Sequence, residues 1–204
     1  MVEDAWWIEM AEIIFVTGNR HKVEEANLAL SRYGIRVKMA EFKKVEIQSE
    51  SLEEIASNAA QTAAKALSAP VISEDSGLFI SALAGFPGPY SSYAFMTIGC
   101  MGVLRLMSSQ PDKRAQFRCV VAYCAPDTKP MLFTGTSLGT ISNSMRGRGG
   151  FGFDPIFVPS GKDARTYAEM TPSEKEFLSH RGAAFRSFGQ WYEKINPSSD
   201  TANE

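Results

Sequence analysis

The chain has 204 residues, with 21 Lys and Arg against 23 Asp and Glu and a net charge of -2. That length suits one large domain or two lobes sharing a core, and the near-neutral balance argues against a protein that coats nucleic acid through a basic surface. No apolar run is long enough to span a bilayer, and the acidic start Met1–Trp7 lacks the basic region of a secretory signal. Cys100, Cys119 and Cys124 are odd in number and lack metal-ligand spacing, so buried thiols and a cytoplasmic location are expected.

Residues 1–12 precede the first clear element and read as an N-terminal extension, a short helical arm or the product of a start at Met10. Ile13–Val16 is a buried-type strand. Thr17-Gly18-Asn19 ends it, and Asn19 caps a helix carrying Val23, Ala26, Leu30 and Tyr33 that closes at Gly34. Residues 37–47 read as extended, with Glu46 facing away from Val45 and Ile47. Ser51 and Glu54 have capping-box spacing, and their helix runs to Leu67, before Pro70.

Next comes Ser73-Glu74-Asp75-Ser76-Gly77, set between Val71-Ile72 and Leu78-Phe79-Ile80. It places two adjacent carboxylates in what reads as a buried strand. Desolvating a carboxylate costs several kcal/mol unless something compensates. A metal, a cationic partner or a raised pKa must therefore serve at least one of them. Alternation sends Glu74 and Asp75 to opposite faces, so they do different work. The plain alternative is a polar strand end at the surface.

Gly85–Pro89 is a shaped loop, and residues 97–107 read as one helix despite Gly99 and Gly102. Residues 117–123 and 131–141 read as antiparallel strands across a Pro126-Asp127 turn. Arg146–Gly150 reads as a flexible basic loop, followed by the apolar run from Phe151 to Val158. Thr171-Pro172-Ser173-Glu174 is a second capping box, and Ser179 caps a further helix with His180 and Arg181 in its first turn. The tail 196–204 is polar and expected to be disordered. Residues 13–195 form one α/β unit whose strand-rich middle makes a second lobe.

Several constellations invite chemistry. The strand–Thr17-Gly18-Asn19–helix turn suits an anion, with Arg20 and Lys22 nearby; the alternative is an ordinary turn. Two carboxylates plus triphosphate oxygens would suit Mg²⁺ if the strand bearing Glu46 lies near Asp75. Phe151-Gly152-Phe153-Asp154 offers rings for stacking a base, or two core phenylalanines and a turn acid. Lys175, His180 and Arg181 are either ligand contacts or a solvated strip.

Taken in order, Phe15–Asn19, Glu74–Leu78, Gly85–Ser91, Gly150–Phe157, Ala168–Lys175 and Ser179–Arg181 resemble the inosine/xanthosine triphosphate pyrophosphatases, the Ham1-like family, in its archaeal form. The resemblance covers nearly all of residues 13–188. It implies an elongated two-lobed α/β fold, with a central mixed, twisted sheet flanked by helices and the active site between the lobes. It also implies a homodimer, Mg²⁺ as cofactor, and hydrolysis of ITP, dITP and XTP to the monophosphate and pyrophosphate. Carried over by position, Thr17, Gly18, Asn19, Arg20, His21 and Lys22 hold phosphate. Glu46 and Asp75 hold Mg²⁺, Asp75 is the general base and Ser76 touches substrate. Phe151, Gly152, Phe153 and Asp154 bind the base; Lys175, His180 and Arg181 contact its oxo groups or the phosphates. The Lys that many relatives carry after an Asn-Ala pair is absent after Asn58-Ala59, and Lys65 is the nearest substitute. Competing readings are a Maf-like pyrophosphatase for other modified nucleotides and a nucleotide-binding regulator without catalysis.

Overall fold

A computed structural model describes residues 11–42, 47–161 and 163–197. The expectations for residues 1–10, for Glu46 and for 198–204 fall outside these. Strand β1, Ala11–Val16, runs into helix α1, Arg20–Leu30. Asn19 caps that helix as expected, its Oδ1 accepting the His21 N–H at 3.0 Å. A 3-10 turn and left-handed Gly34 then reverse the chain into β2, Ile35–Ala40. Asn27 staples α1 to that strand, donating to the Val37 carbonyl at 3.1 Å and accepting its N–H at 2.8 Å.

Helix α2, Leu52–Leu67, ends at left-handed Ser68. Its capping box closes in one direction only. Ser51 Oγ accepts the Glu54 N–H, but the Glu54 carboxylate takes the Ser49 hydroxyl at 2.7 Å, and the Ser51 N–H goes to Ser49 Oγ. Strand β3, Val71–Ile80, carries the two carboxylates, and β4, Pro87–Gly88, pairs with its far end. The helix expected over 97–107 is α4, Gly99–Leu106, and it is preceded by a helix not expected, α3, Ser91–Thr97, the two parted where Gly99 turns to φ +60°. Strands β5, Arg114–Cys124, and β6, Met131–Ile141, are antiparallel as expected. Strand β7, Phe157–Pro159, and helices α5, Pro172–Leu178, and α6, His180–Ile195, complete the chain.

Among the described residues these strands make one mixed seven-stranded sheet in the order β2-β1-β3-β5-β6-β7, with β4 on β3. Helices α1 and α6 cover one face, burying Phe15, Leu30, Val121, Phe185 and Phe188. Helix α2 covers the other face over Val16, Val71 and Val120. A third cluster, built on Leu78, Val103, Ile156 and Tyr167, forms the core of the strand-rich half. All three cysteines are buried free thiols, as expected. The Arg146–Gly150 loop is tied down rather than free: Arg146 N–H bonds the Pro155 carbonyl, and Gly149 N–H bonds that of Ala168.

The sheet's pairing opens the site. β3 pairs with β1 only at Val71 and Ile72, and with β4 only at Leu78 and Phe79. Between them, residues 73–77 have no strand on that edge among the described residues. β1 has already ended and given way to the turn at Thr17. The gap lies beside the N-terminus of α1, so the middle of β3 faces a cleft.

Candidate active site

The cleft holds about 490 Å³, within the range of ligand sites. Thr17, Gly18, Asn19, His21 and Lys22 enter it from the first turn, Asp75 and Ser76 from β3, Phe151 to Asp154 from one loop, and His180 and Arg181 from α6. Thirteen of the fifteen described residues expected at the site therefore line one cavity. Arg20 is exposed and outside the lining. Lys175 is buried behind the wall, not at it. Lys65 is exposed on α2 and absent from the lining.

Glu74 and Asp75 take opposite faces, as alternation requires. Glu74 is 2 % exposed, which rules out a surface strand end. Its carboxylate meets the Lys22 ammonium at 2.6 Å, accepts from Arg181 Nη2 at 3.1 Å and from the Cys119 thiol at 3.2 Å. Burial pushes its pKa up, but the Arg181 and Lys22 charges outweigh it and hold the group well below the usual carboxylate range. Asp75 lies on the side packed by α2, opposite Val120, half-buried and lining the cleft. The cationic partners expected for one carboxylate belong to Glu74. Lys22, expected on phosphate, shares its donors with this acid.

Arg181 is 2 % exposed and bonds Glu74, Ser76 Oγ at 2.8 Å and Glu25 at 2.5 Å. Glu25 also accepts from Lys175 Nζ at 2.6 Å, and Lys175 pairs with Asp154. Glu25 thus ties α5 and α6 to α1; against the effect of burial, the Arg181 and Lys175 charges lower its pKa. Sequence reasoning missed it. The available signal is an acid on α1 four residues before buried Ala29 and three after Lys22, on the helix's inward side.

The two loop phenylalanines divide between the two readings. Phe153 is 3 % exposed, packs with Ile156 and Phe157, and meets Phe95 edge-on at 5.5 Å, so it is core that also forms wall. Phe151 is half-buried and stacks on the His21 imidazole, centroids 5.2 Å apart and planes at 12°. Asp154 opens a 3-10 turn and accepts the Phe151 N–H at 2.7 Å. Burial raises its pKa against the pull of Lys175. Gly150, at φ +69°, allows this closure; a Cβ there would strike the Asp154 carboxylate.

Ser179 caps α6 as expected, accepting the Gly182 N–H at 2.9 Å. Gly135 of β6 lets that helix start press onto the sheet, since a Cβ would collide with the His180 carbonyl and the Ala184 N–H. His180 consequently stacks flat on Phe117, centroids 4.5 Å apart. Burial, then the Arg181 charge, drives its pKa well below the ordinary histidine value, so the ring is neutral. Its Nδ1 is buried with no hydrogen-bond partner among the described residues, on a residue that lines the cleft. Pro89, Ser91, Ser92, Phe95, Met96 and Phe117 also line the cavity and escaped sequence reasoning. Ser91 signals its place only in three dimensions, accepting the Leu78 N–H at 2.8 Å and donating to the Gly88 carbonyl at 2.7 Å.

A helix start, an acid on a strand, an aromatic wall and a buried cation network meet in one cleft of an α/β sheet, an arrangement suited to a phosphorylated ligand. The chain belongs to the Ham1 family, whose model matches residues 13–191. It is 49 % identical over 181 residues to a dITP/XTP pyrophosphatase of Methanopyrus kandleri, covering 89 % of this chain and 96 % of that one. It is 46 % identical over 190 residues to one of Hyperthermus butylicus, covering 93 % and 99 %. The Ham1 protein structure of Staphylococcus aureus superposes with a TM-score of 0.78 at 32 % identity, covering 90 % of this chain and 99 % of that one.

Proposed function

We propose that this protein hydrolyses non-standard purine nucleoside triphosphates (dITP, ITP, XTP) to the monophosphate and pyrophosphate. The observation that carries it is the single cleft joining the phosphate turn, Asp75 and the Phe151 wall. The dITP/XTP pyrophosphatase names of relatives covering nearly the whole chain support the same reading. Among the described residues no cluster of three or more metal-ligating side chains exists. This donor set fits Mg²⁺, which takes one or two carboxylates and fills its shell with substrate phosphates and water. Asp75 supplies one carboxylate and Glu46 is assigned the second; Glu74 is already committed to two cations. Bound Mg²⁺ supplies charge neutralisation to the triphosphate.

The chain's own residues do the rest. Backbone N–H groups at the start of α1 and the Lys22 ammonium hold phosphate oxygens. Asp75 accepts the proton of a water attacking the α-phosphorus. The new phosphorus–oxygen bond forms as the bond to the bridging oxygen breaks, and pyrophosphate leaves. Ser76, held by Arg181, touches the substrate. A 6-oxo purine needs donors where adenine carries an amino group, and His180 with its neighbour Arg181 provides them beside Phe151. Lys175 acts from behind, holding Asp154 and Glu25 in place.

Among the described residues no helix is long and apolar enough to cross a membrane. Three reduced thiols fit a cytoplasmic enzyme. Exposed Phe86, Tyr90, Tyr93 and Met96 supply apolar surface for a homodimer. The deciding experiment is steady-state pyrophosphate release from dITP, XTP, GTP and ATP, with and without Mg²⁺. Release from dITP and XTP at least tenfold above ATP, lost on chelation, is expected. Equal rates on all four, or none, overturns the proposal.

A further inference from the structure

His21 belongs to the phosphate turn by sequence, but its side chain is elsewhere. Its backbone N–H is taken by Asn19 Oδ1. Its imidazole lies parallel to the Phe151 ring at a centroid distance of 5.2 Å, and both residues line the cleft. A ring has two faces. The Lys175 ammonium at 4.9 Å and the Arg181 guanidinium at 5.4 Å also lie over the Phe151 ring, both locked to Glu25. The exposed imidazole of His21 covers a face of that ring. A base that stacks on that face must meet the imidazole.

We infer that His21 is the outer wall of the base slot, swinging away to admit a purine and closing on its outer face. The inference rests on the proposed function and deepens it. An inserted ring needs its neighbours about 7 Å apart, twice the roughly 3.5 Å of carbon contact, so the present spacing is a closed slot. The imidazole is free to open. Its side chain is 58 % exposed, and its ion-pair contact is Glu24 Oε2 at 3.4 Å, itself 72 % exposed. Exposed rotamers of this kind exchange in picoseconds to nanoseconds. A stacking wall reads the flat surface of the base, not its edge. His21 therefore sets how tightly every purine is held, and His180 and Arg181 decide which.

The test compares wild type with His21→Ala, His21→Phe and His21→Lys. It measures KM for dITP and for XTP, inhibition by pyrophosphate, and calorimetric binding of inosine monophosphate. Alanine is expected to raise KM about 2- to 12-fold, by the same factor for both substrates. It should weaken the monophosphate likewise and leave pyrophosphate inhibition unchanged. Phenylalanine is expected to restore wild-type values. Rescue by lysine instead, with weakened pyrophosphate inhibition, overturns the inference in favour of a phosphate contact. A lowered KM in the alanine variant overturns it by showing that the imidazole competes with the base, and unchanged values overturn it outright. A wild type that binds inosine monophosphate but hydrolyses nothing sinks the proposed function while the binding arms still judge the stack. Failure to bind the monophosphate overturns both.

Discussion

Glu74 and Asp75 are neighbours in the chain, yet they occupy two different kinds of region. Glu74 sits under α1 and α6, buried in a network with Lys22, Arg181 and Cys119, of which Lys22 and Arg181 also reach the cleft. Asp75 sits on the α2 side at the edge of the cleft. The Glu74 network ties α1 and α6 to the sheet. In the proposed reaction the cleft edge does the chemistry, and one residue of strand register separates a structural acid from a reactive one.

The sharpest way to break this contrast is Asp75→Asn. It removes the proposed proton acceptor without touching the Glu74 network. A fall in kcat of about 10²- to 10⁴-fold is expected, with the protein still folded. Near-normal turnover would remove Asp75 from its role.

Arg181→Ala is expected to act on the other region. It strands Glu74 and part of Glu25 inside the protein, and loss of one buried partner costs about 3–5 kcal/mol. Urea denaturation reads this directly. The double variant Arg181→Met, Glu74→Gln should recover part of the loss, because no charge is left without its partner. A single-variant loss below about 1 kcal/mol would mean that the network does not hold the helices.

The smallest expected effect is in pH. His180 is kept neutral in the fold, whereas its unfolded pKa is about 6.5. Below that value the unfolded chain binds a proton that the fold refuses, so stability falls by up to about 1.4 kcal/mol per pH unit. Glu74 and Glu25 have depressed pKa values. Their contribution is complete above the unfolded value of about 4.3, and is lost as pH falls from there towards their folded values. The acid limb should therefore start near pH 6.5 and steepen below about 4.3. His180→Gln should delete the first part only. An unchanged slope between pH 6.5 and 5 would show that the imidazole titrates normally.

Much of this molecule is written in local sequence. Asn19, Thr171-Pro172-Ser173-Glu174 and Ser179 set helix starts because a cap bonds N–H groups within three residues of itself. The apolar run at residues 13–16, the apolar flanks of 71–80 and the alternation along 131–141 announce strands, and the order of short motifs announces the family. Alternation along β3 separates Glu74 from Asp75 without any knowledge of what faces them. Only tertiary structure decides who meets whom. Glu25 joins Lys175 and Arg181 across some 150 positions of chain, Phe153 enters the core while Phe151 meets His21, and Ser91 bonds a strand thirteen residues back. Local patterns follow from bonds a few residues long. The charge network and the base slot follow from packing two helices on a sheet edge that pairing leaves open, and no window of sequence contains both sides of such a contact.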